Sequence, residues 1–224
     1  MRNGLISLLA VTVAGLIALL AVGLTRGSSL VYTLGVAPQG AVAKLAKGDR
    51  TCQSPIRPPR GAAFERVGFY PRSPNGASTV VVTVRPAAGG PVLASGRLSG
   101  AYGEGVMPRL RHAGVGRVQP AQPLAVCFEN AGSRPVEIWG TAPIASPSTS
   151  ASQDGRASEF DLGVTLERSR ERSLVALLPD MAHRASVFHP GWVSPAAYAL
   201  LGAVVLVGIP LLLVLALRRA AAHD

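Results

Sequence analysis

Two long stretches without a charged residue bracket this chain. Leu5 to Leu24 reads LISLLAVTVAGLIALLAVGL, and Tyr198 to Leu217 reads YALLGAVVLVGIPLLLVLAL. At a rise of 1.5 Å per residue, an apolar helix of about 20 residues matches a hydrocarbon layer about 30 Å thick. The sequence therefore predicts two transmembrane helices, over 5–24 and 198–217. Pro210 is acceptable in the second, because neighbouring groups re-satisfy the backbone a membrane proline frees. Arg218 and Arg219 follow directly, and basic residues flanking a span stay on the cytoplasmic side. The tail 218–224 is thus expected in the cytoplasm, and the region between the two runs outside the cell membrane. For the first run a cleaved signal peptide also stands, since Ala21-Val22-Gly23 supplies the small residues a signal peptidase accepts.

The remainder is long enough for one domain of ordinary size. The chain is 48% hydrophobic and only 15% charged, a balance foreign to disordered sequences. It has two cysteines, Cys52 and Cys127. An even count outside the cytoplasm predicts a disulfide, and closing a loop of that length stabilises by about 4.5 kcal/mol in the chain-entropy model. A metal centre is not expected, because two cysteines without nearby histidines do not complete a ligand set. From Arg26 to Ala197 there are 19 Lys plus Arg against 11 Asp plus Glu. Those basic residues are scattered and aromatics are 5% of the chain. That pattern suits a solvated basic surface, an anionic glycan or a lipid headgroup, and does not suit nucleic acid.

Along the middle, 30–167 reads as the extracytoplasmic domain. Leu30 to Val36, Phe64 to Tyr70, Thr79 to Arg85, Pro91 to Leu98, Leu124 to Asn130 and Pro135 to Thr141 are rich in β-formers and separated by Gly, Pro, Asn and Ser. Val80, Val82 and Val84 share one face of a strand, as do Leu124, Val126 and Phe128. Asn130 to Ser133 predicts a hairpin turn within 124–141. The prolines within 53–61 argue against a central strand. The stretch 145–158 (ASPSTSASQDGRAS) has no large apolar residue and is expected as a flexible loop. Phe160, Leu162, Val164 and Leu166 alternate with other residues as a returning strand. With about seven or eight candidate strands, the fold expected is mainly β: an antiparallel sandwich, jelly-roll or immunoglobulin-like, flanked by the two transmembrane helices. The segment 168–197 is expected to lie at the membrane, with a short amphipathic helix ended by Pro179 and an interfacial belt of Phe188, Trp192 and Tyr198.

Catalytic signatures are missing. The middle offers one histidine, His112, with no GxSxG elbow, and there is no HExxH, P-loop or GxGxxG. Glu65, Glu104, Glu129, Glu137 and Asp161 supply carboxylates, yet nothing in their spacing selects a pair. No enzyme and no cofactor is expected. Tyr102, inside a stretch with four glycines, and Trp139 are candidate stacking faces for a sugar ring, with Glu104 and Asn130 as candidate hydrogen-bonding partners. For Trp139 a core indole is the commoner role of a tryptophan on a strand.

The sequence VCFENAG (126–132) ahead of VEIWG (136–140), with RERSLVALLPDMAHRASVFHPGW (170–192) before the last apolar run, resembles uncharacterised two-helix membrane proteins of actinobacteria. The resemblance covers most of the chain and implies a carbohydrate-binding-like outer domain and partnership with surface-polysaccharide glycosyltransferases. It implies no catalytic residue. The layout also resembles polysaccharide co-polymerases, which place two crossings around an outer domain, although their long outer helices have no counterpart here. The expected function is a non-enzymatic cell-envelope protein that binds a glycan or assists polysaccharide assembly. A scaffold without its own ligand and an envelope carboxylate enzyme are the alternatives.

Overall fold

A computed structural model describes residues 2–59, 61–102, 107–142, 149–187, 195–208, 210–212, 215, 216 and 219. In chain order its elements are α1 (Arg2–Thr25), β1 (Gly27–Thr33), β2 (Gly40–Leu45), β3 (Arg50–Ile56), β4 (Phe64–Phe69), β5 (Pro71–Arg72), β6 (Ser78–Pro86) and β7 (Ala94–Gly100). There follow β8 (Arg111–Val118), β9 (Leu124–Asn130), β10 (Val136–Thr141), β11 (Ser150–Gln153), β12 (Arg156–Ser158), β13 (Asp161–Leu162), β14 (Thr165–Ser173), α2 (Leu174–Val187) and α3 (Pro195–Ala203). The chain divides into a helical unit, Met1–Ser28 with Glu171–Asp224, and a β unit, Ser29–Arg170.

The β unit is built from three sheets. Sheet A has the order β1-β14-β4-β8, sheet B the order β13-β10-β2 with β5 also on β10, and sheet C the order β12-β11-β3-β9-β6-β7. The ladders whose register is defined are antiparallel. Alternation in the sequence places the core: Val80, Val82 and Val84 of β6 and Leu124, Val126 and Phe128 of β9 are fully buried, and they face Val67, Phe69, Leu166, Ile138 and Leu162 of the other two sheets within one cluster. Phe69 and Phe128 meet at 4.6 Å between ring centroids, a tilted aromatic contact that adds to their area burial. Gly96 of β7 lies against Gly114 of β8, where any Cβ would strike the Gly114 carbonyl.

Several expectations are corrected. Among the described residues no helix is long and apolar enough to cross a membrane, so the fold is not a β-domain flanked by two transmembrane helices. At the C-terminal end α3 has 9 residues and passes into a π-helical turn, Val204–Gly208. The proposed hairpin over 124–141 does not form. β9 lies between β3 and β6 of sheet C, whereas β10 pairs with β2, β5 and β13 of sheet B, so Asn130 to Arg134 moves the chain between sheets.

The expected loop 145–158 is also revised. β11 and β12 pair as a hairpin on the edge of sheet C, turned by Asp154 and Gly155 at φ of 50° and 82°, the left-handed pair that a tight hairpin requires; residues 145–148 lie outside the described ones. β3 is an interior strand despite Pro55, because that proline sits where the register against β9 skips between Gln53 and Ile56 and no ladder donor is needed. Pro179 does not end α2, which runs on to Val187.

Candidate functional site

The cysteines are joined. Cys52 and Cys127 stand opposite each other on β3 and β9, bridged with Cα atoms 3.9 Å apart and 75 positions apart in sequence. The bridge ties neighbouring interior strands of sheet C, next to the face that carries the core.

Of the expected ligand contacts, two are structural. Asn130 is fully buried. Its side-chain amide donates to the Leu45 carbonyl at 2.9 Å and the Arg134 carbonyl at 2.8 Å, and its Oδ1 accepts from the Ser78 hydroxyl and the Gly132 N–H, each at 3.0 Å. Every polar valence of the amide is used in holding the passage from β9 to β10. Tyr102 is buried, and its hydroxyl donates to the carbonyls of Ser78, at 2.9 Å, and Leu98. Burial pushes its phenol above the usual pKa. Neither residue presents an atom to a ligand, so both are withdrawn as glycan contacts. Glu104, Phe188 and Trp192 lie outside the described residues; Tyr198 lies within α3.

Trp139 is different. It lies on β10 just after a register shift against β2, and at 9% exposure its ring is a core surface rather than an open stacking platform. Its polar edge is unmatched: indole Nε1 is buried without a hydrogen-bond partner among the described residues. Arg72 of β5 sits beside it, guanidinium carbon 6.0 Å from the ring centroid, at the outer limit for a cation–π contact. Glu137 stands directly opposite Arg72 across the β5–β10 ladder and opposite Lys44 across the β2–β10 ladder, so three charges form one cross-strand row. Arg72 Nη1 and Glu137 Oε2 are 3.7 Å apart, an ion pair without a hydrogen bond. Arg72 Nε and Glu137 Oε2 are likewise buried and unmatched. Two donors and one acceptor thus converge beside an aromatic ring, and leaving each unpaired costs about 1–3 kcal/mol.

Two further polar clusters are internally satisfied. Gln53 donates to Asp161 at 2.6 Å and to Thr149 at 3.1 Å, and accepts from the Leu162 N–H at 2.9 Å, with Gln53 and Asp161 both fully buried. This network pins β13 of sheet B to β3 of sheet C. On the outer face of sheet A, Glu167 Oε1 meets His112 Nε2 at 2.8 Å and the Thr165 hydroxyl at 3.3 Å, while Oε2 accepts from the Ser29 hydroxyl at 3.1 Å and lies 3.8 Å from Arg66. His112 reaches it across Gly68 of β4, where a Cβ would collide with Thr165. The sequence carries no local signal for this contact, because the carboxylate lies 55 residues from His112.

The remaining carboxylates are dispersed. Glu65 accepts from the Ser169 N–H at 3.1 Å, and hydrogen bonding from Ser169, with Arg117 and Arg170 nearby, holds its carboxyl below the usual range. Glu129 is on sheet C and Asp161 on sheet B, inside the Gln53 network. No cluster of three or more His, Cys, Asp or Glu suited to a metal occurs among the described residues. What the geometry defines is a β-rich, disulfide-bridged domain with one unmatched polar cluster, joined to a helical unit. No protein-family model matches the chain, and neither a curated protein nor a solved structure does.

Proposed function

We infer that the chain is a non-enzymatic cell-envelope protein whose β unit binds a glycan, in keeping with its resemblance to actinobacterial envelope proteins that act beside polysaccharide machinery. The observation that carries this reading is the Arg72–Glu137–Trp139 cluster. The Arg72 and Glu137 side chains keep 31% and 18% of their surface open to solvent, and a pyranose edge, whose hydroxyls both donate and accept, fits against that rim beside Trp139. Lys44, in the same cross-strand row, adds a second cation beside Glu137 and favours a sugar bearing an acidic substituent. The disulfide agrees with an extracytoplasmic location.

The test is calorimetric titration of the oxidised full-length chain, in detergent, with neutral and acidic envelope glycans at low and high salt. Binding that survives high salt and weakens at least about tenfold in Trp139→Phe and Glu137→Gln is expected, a factor that corresponds to about one lost hydrogen bond. Trp139→Phe removes the N–H while keeping an aromatic ring. Binding that vanishes with salt and ignores both substitutions would mean diffuse charge attraction, and the absence of binding to every glycan would sink the reading.

A further inference from the structure

The helical unit exposes apolar surface that water does not tolerate. Along α1, Val11, Ile17, Leu19, Leu20, Val22 and Leu24 are each between 53% and 70% exposed. At 100° per residue these positions do not fall on one stripe: Val11, Val22 and Leu19 point one way, and Leu20, Leu24 and Ile17 point the other. A partner helix or a protein groove covers a stripe a little over 100° wide. It cannot cover both sides. Leu200, Leu201, Val204 and Val205 in and after α3 are also about half exposed or more, and Leu174, Leu178 and Met181 of α2 are exposed at the i, i+4, i+7 spacing of a single helical face. Contiguous apolar exposure on this scale marks an interaction surface.

Two arginines, Arg26 and Arg172, lie where α1 ends and α2 begins. The Leu174 N–H donates to the Arg26 carbonyl at 3.0 Å, bringing the end of α1 to the start of α2, and Arg172 Nη2 donates to the Ala176 carbonyl at 3.2 Å. Gly23 makes this approach possible, since a Cβ there would already sit 3.0 Å from Val175. Glu171 is the neighbouring acid, against Gly27. Over the whole unit Arg2, Arg26, Arg172, Arg184, Arg218 and Arg219 outweigh Glu171, Asp180 and Asp224.

We propose that the helical unit takes a lipid bilayer with anionic headgroups as its partner, the apolar side chains of α1, α2 and α3 entering the acyl region and Arg26 and Arg172 meeting lipid phosphates. At the headgroup–acyl boundary α1 buries one apolar side in the acyl region and its flanks in part, more of its surface than a single protein groove covers. No helix needs to cross the bilayer, because interfacial burial to a depth of about 5–10 Å already removes such side chains from water. The basic collar adds preference for anionic lipid, about 1 kcal/mol or roughly fivefold for each arginine near the surface.

The test uses the full-length chain, freed of detergent in the presence of vesicles of phosphatidylcholine alone or phosphatidylcholine with phosphatidylglycerol, and floated on a density gradient. Flotation with both vesicle types is expected, with binding at limiting lipid stronger for the anionic ones by at least about fivefold, and with that preference reduced in Arg26→Gln and in high salt. Leu20→Asp combined with Val11→Asp is expected to lower flotation while the thermal unfolding of the β unit stays unchanged, which separates lost lipid contact from lost fold. Recovery of the wild-type chain in the aqueous fraction, as a defined oligomer or as vesicle-free aggregate, would overturn the proposal and assign the apolar faces to copies of this chain.

Discussion

Asn130 shows how much one polar side chain holds. It has no contact with solvent and is bonded to Leu45, Ser78, Gly132 and Arg134. Asn130→Ala is expected to cost about 3 kcal/mol, since it leaves buried carbonyls and a hydroxyl unmatched; a urea titration at constant m-value measures it. Tyr102 gives a pH signature. Burial raises its phenol pKa, so the native state keeps its proton to higher pH than the unfolded chain. Stability from this group is therefore complete below the ordinary phenol value of about 10 and falls as the pH climbs past it. Tyr102→Phe should flatten that alkaline loss in unfolding midpoints at pH 8 and pH 11, while Tyr32, also raised by burial, keeps part of it. Both residues look like ligand contacts in the sequence because polar and aromatic residues near glycines suit a binding loop. Their partners are backbone carbonyls, which no residue letter announces.

At the scale of elements, alternation made β6 and β9 legible, because burial on one face leaves a period of two. β8 was not: RHAGVGRV has too few large side chains, and its close approach to β7 depends on Gly96 of that strand rather than on its own glycines, whose Cβ positions are open. The β11–β12 hairpin was hidden for the same reason, since an edge ladder of Ser, Ala and Gln is held by backbone bonds rather than apolar faces. Gly155→Val, which forces a β-branched residue to φ of 82°, is expected to cost about 1–2 kcal/mol and to raise amide exchange in 150–158 while the β3–β9 ladder stays protected. The paired substitution Cys52→Ala with Cys127→Ala should lower unfolding free energy by about 2–5 kcal/mol without undoing β3–β9 pairing, which the backbone ladder also holds; chemical denaturation beside near-ultraviolet circular dichroism reads both.

At the scale of the whole molecule, the chain divides into a helical unit and a β unit. The β unit, Ser29–Arg170, contains the disulfide and the hydrophobic core cluster, so residues 29–170 alone are expected to unfold in one cooperative thermal transition whose midpoint lies within a few degrees of that of the β unit in the full chain. Two transitions, or none, would show that the core depends on the helical unit. By itself the sequence determined the apolar ends, the β-rich middle, the cysteine pair and the strands whose faces alternate, because each of these is written in local composition or in a period of two residues. Only the tertiary structure decided that β9 and β10 belong to different sheets, that Asn130 and Tyr102 serve the fold, and that Arg72, Glu137 and Trp139 share a cluster. Those outcomes depend on which strands meet across long loops, and on backbone donors and acceptors that every residue carries alike.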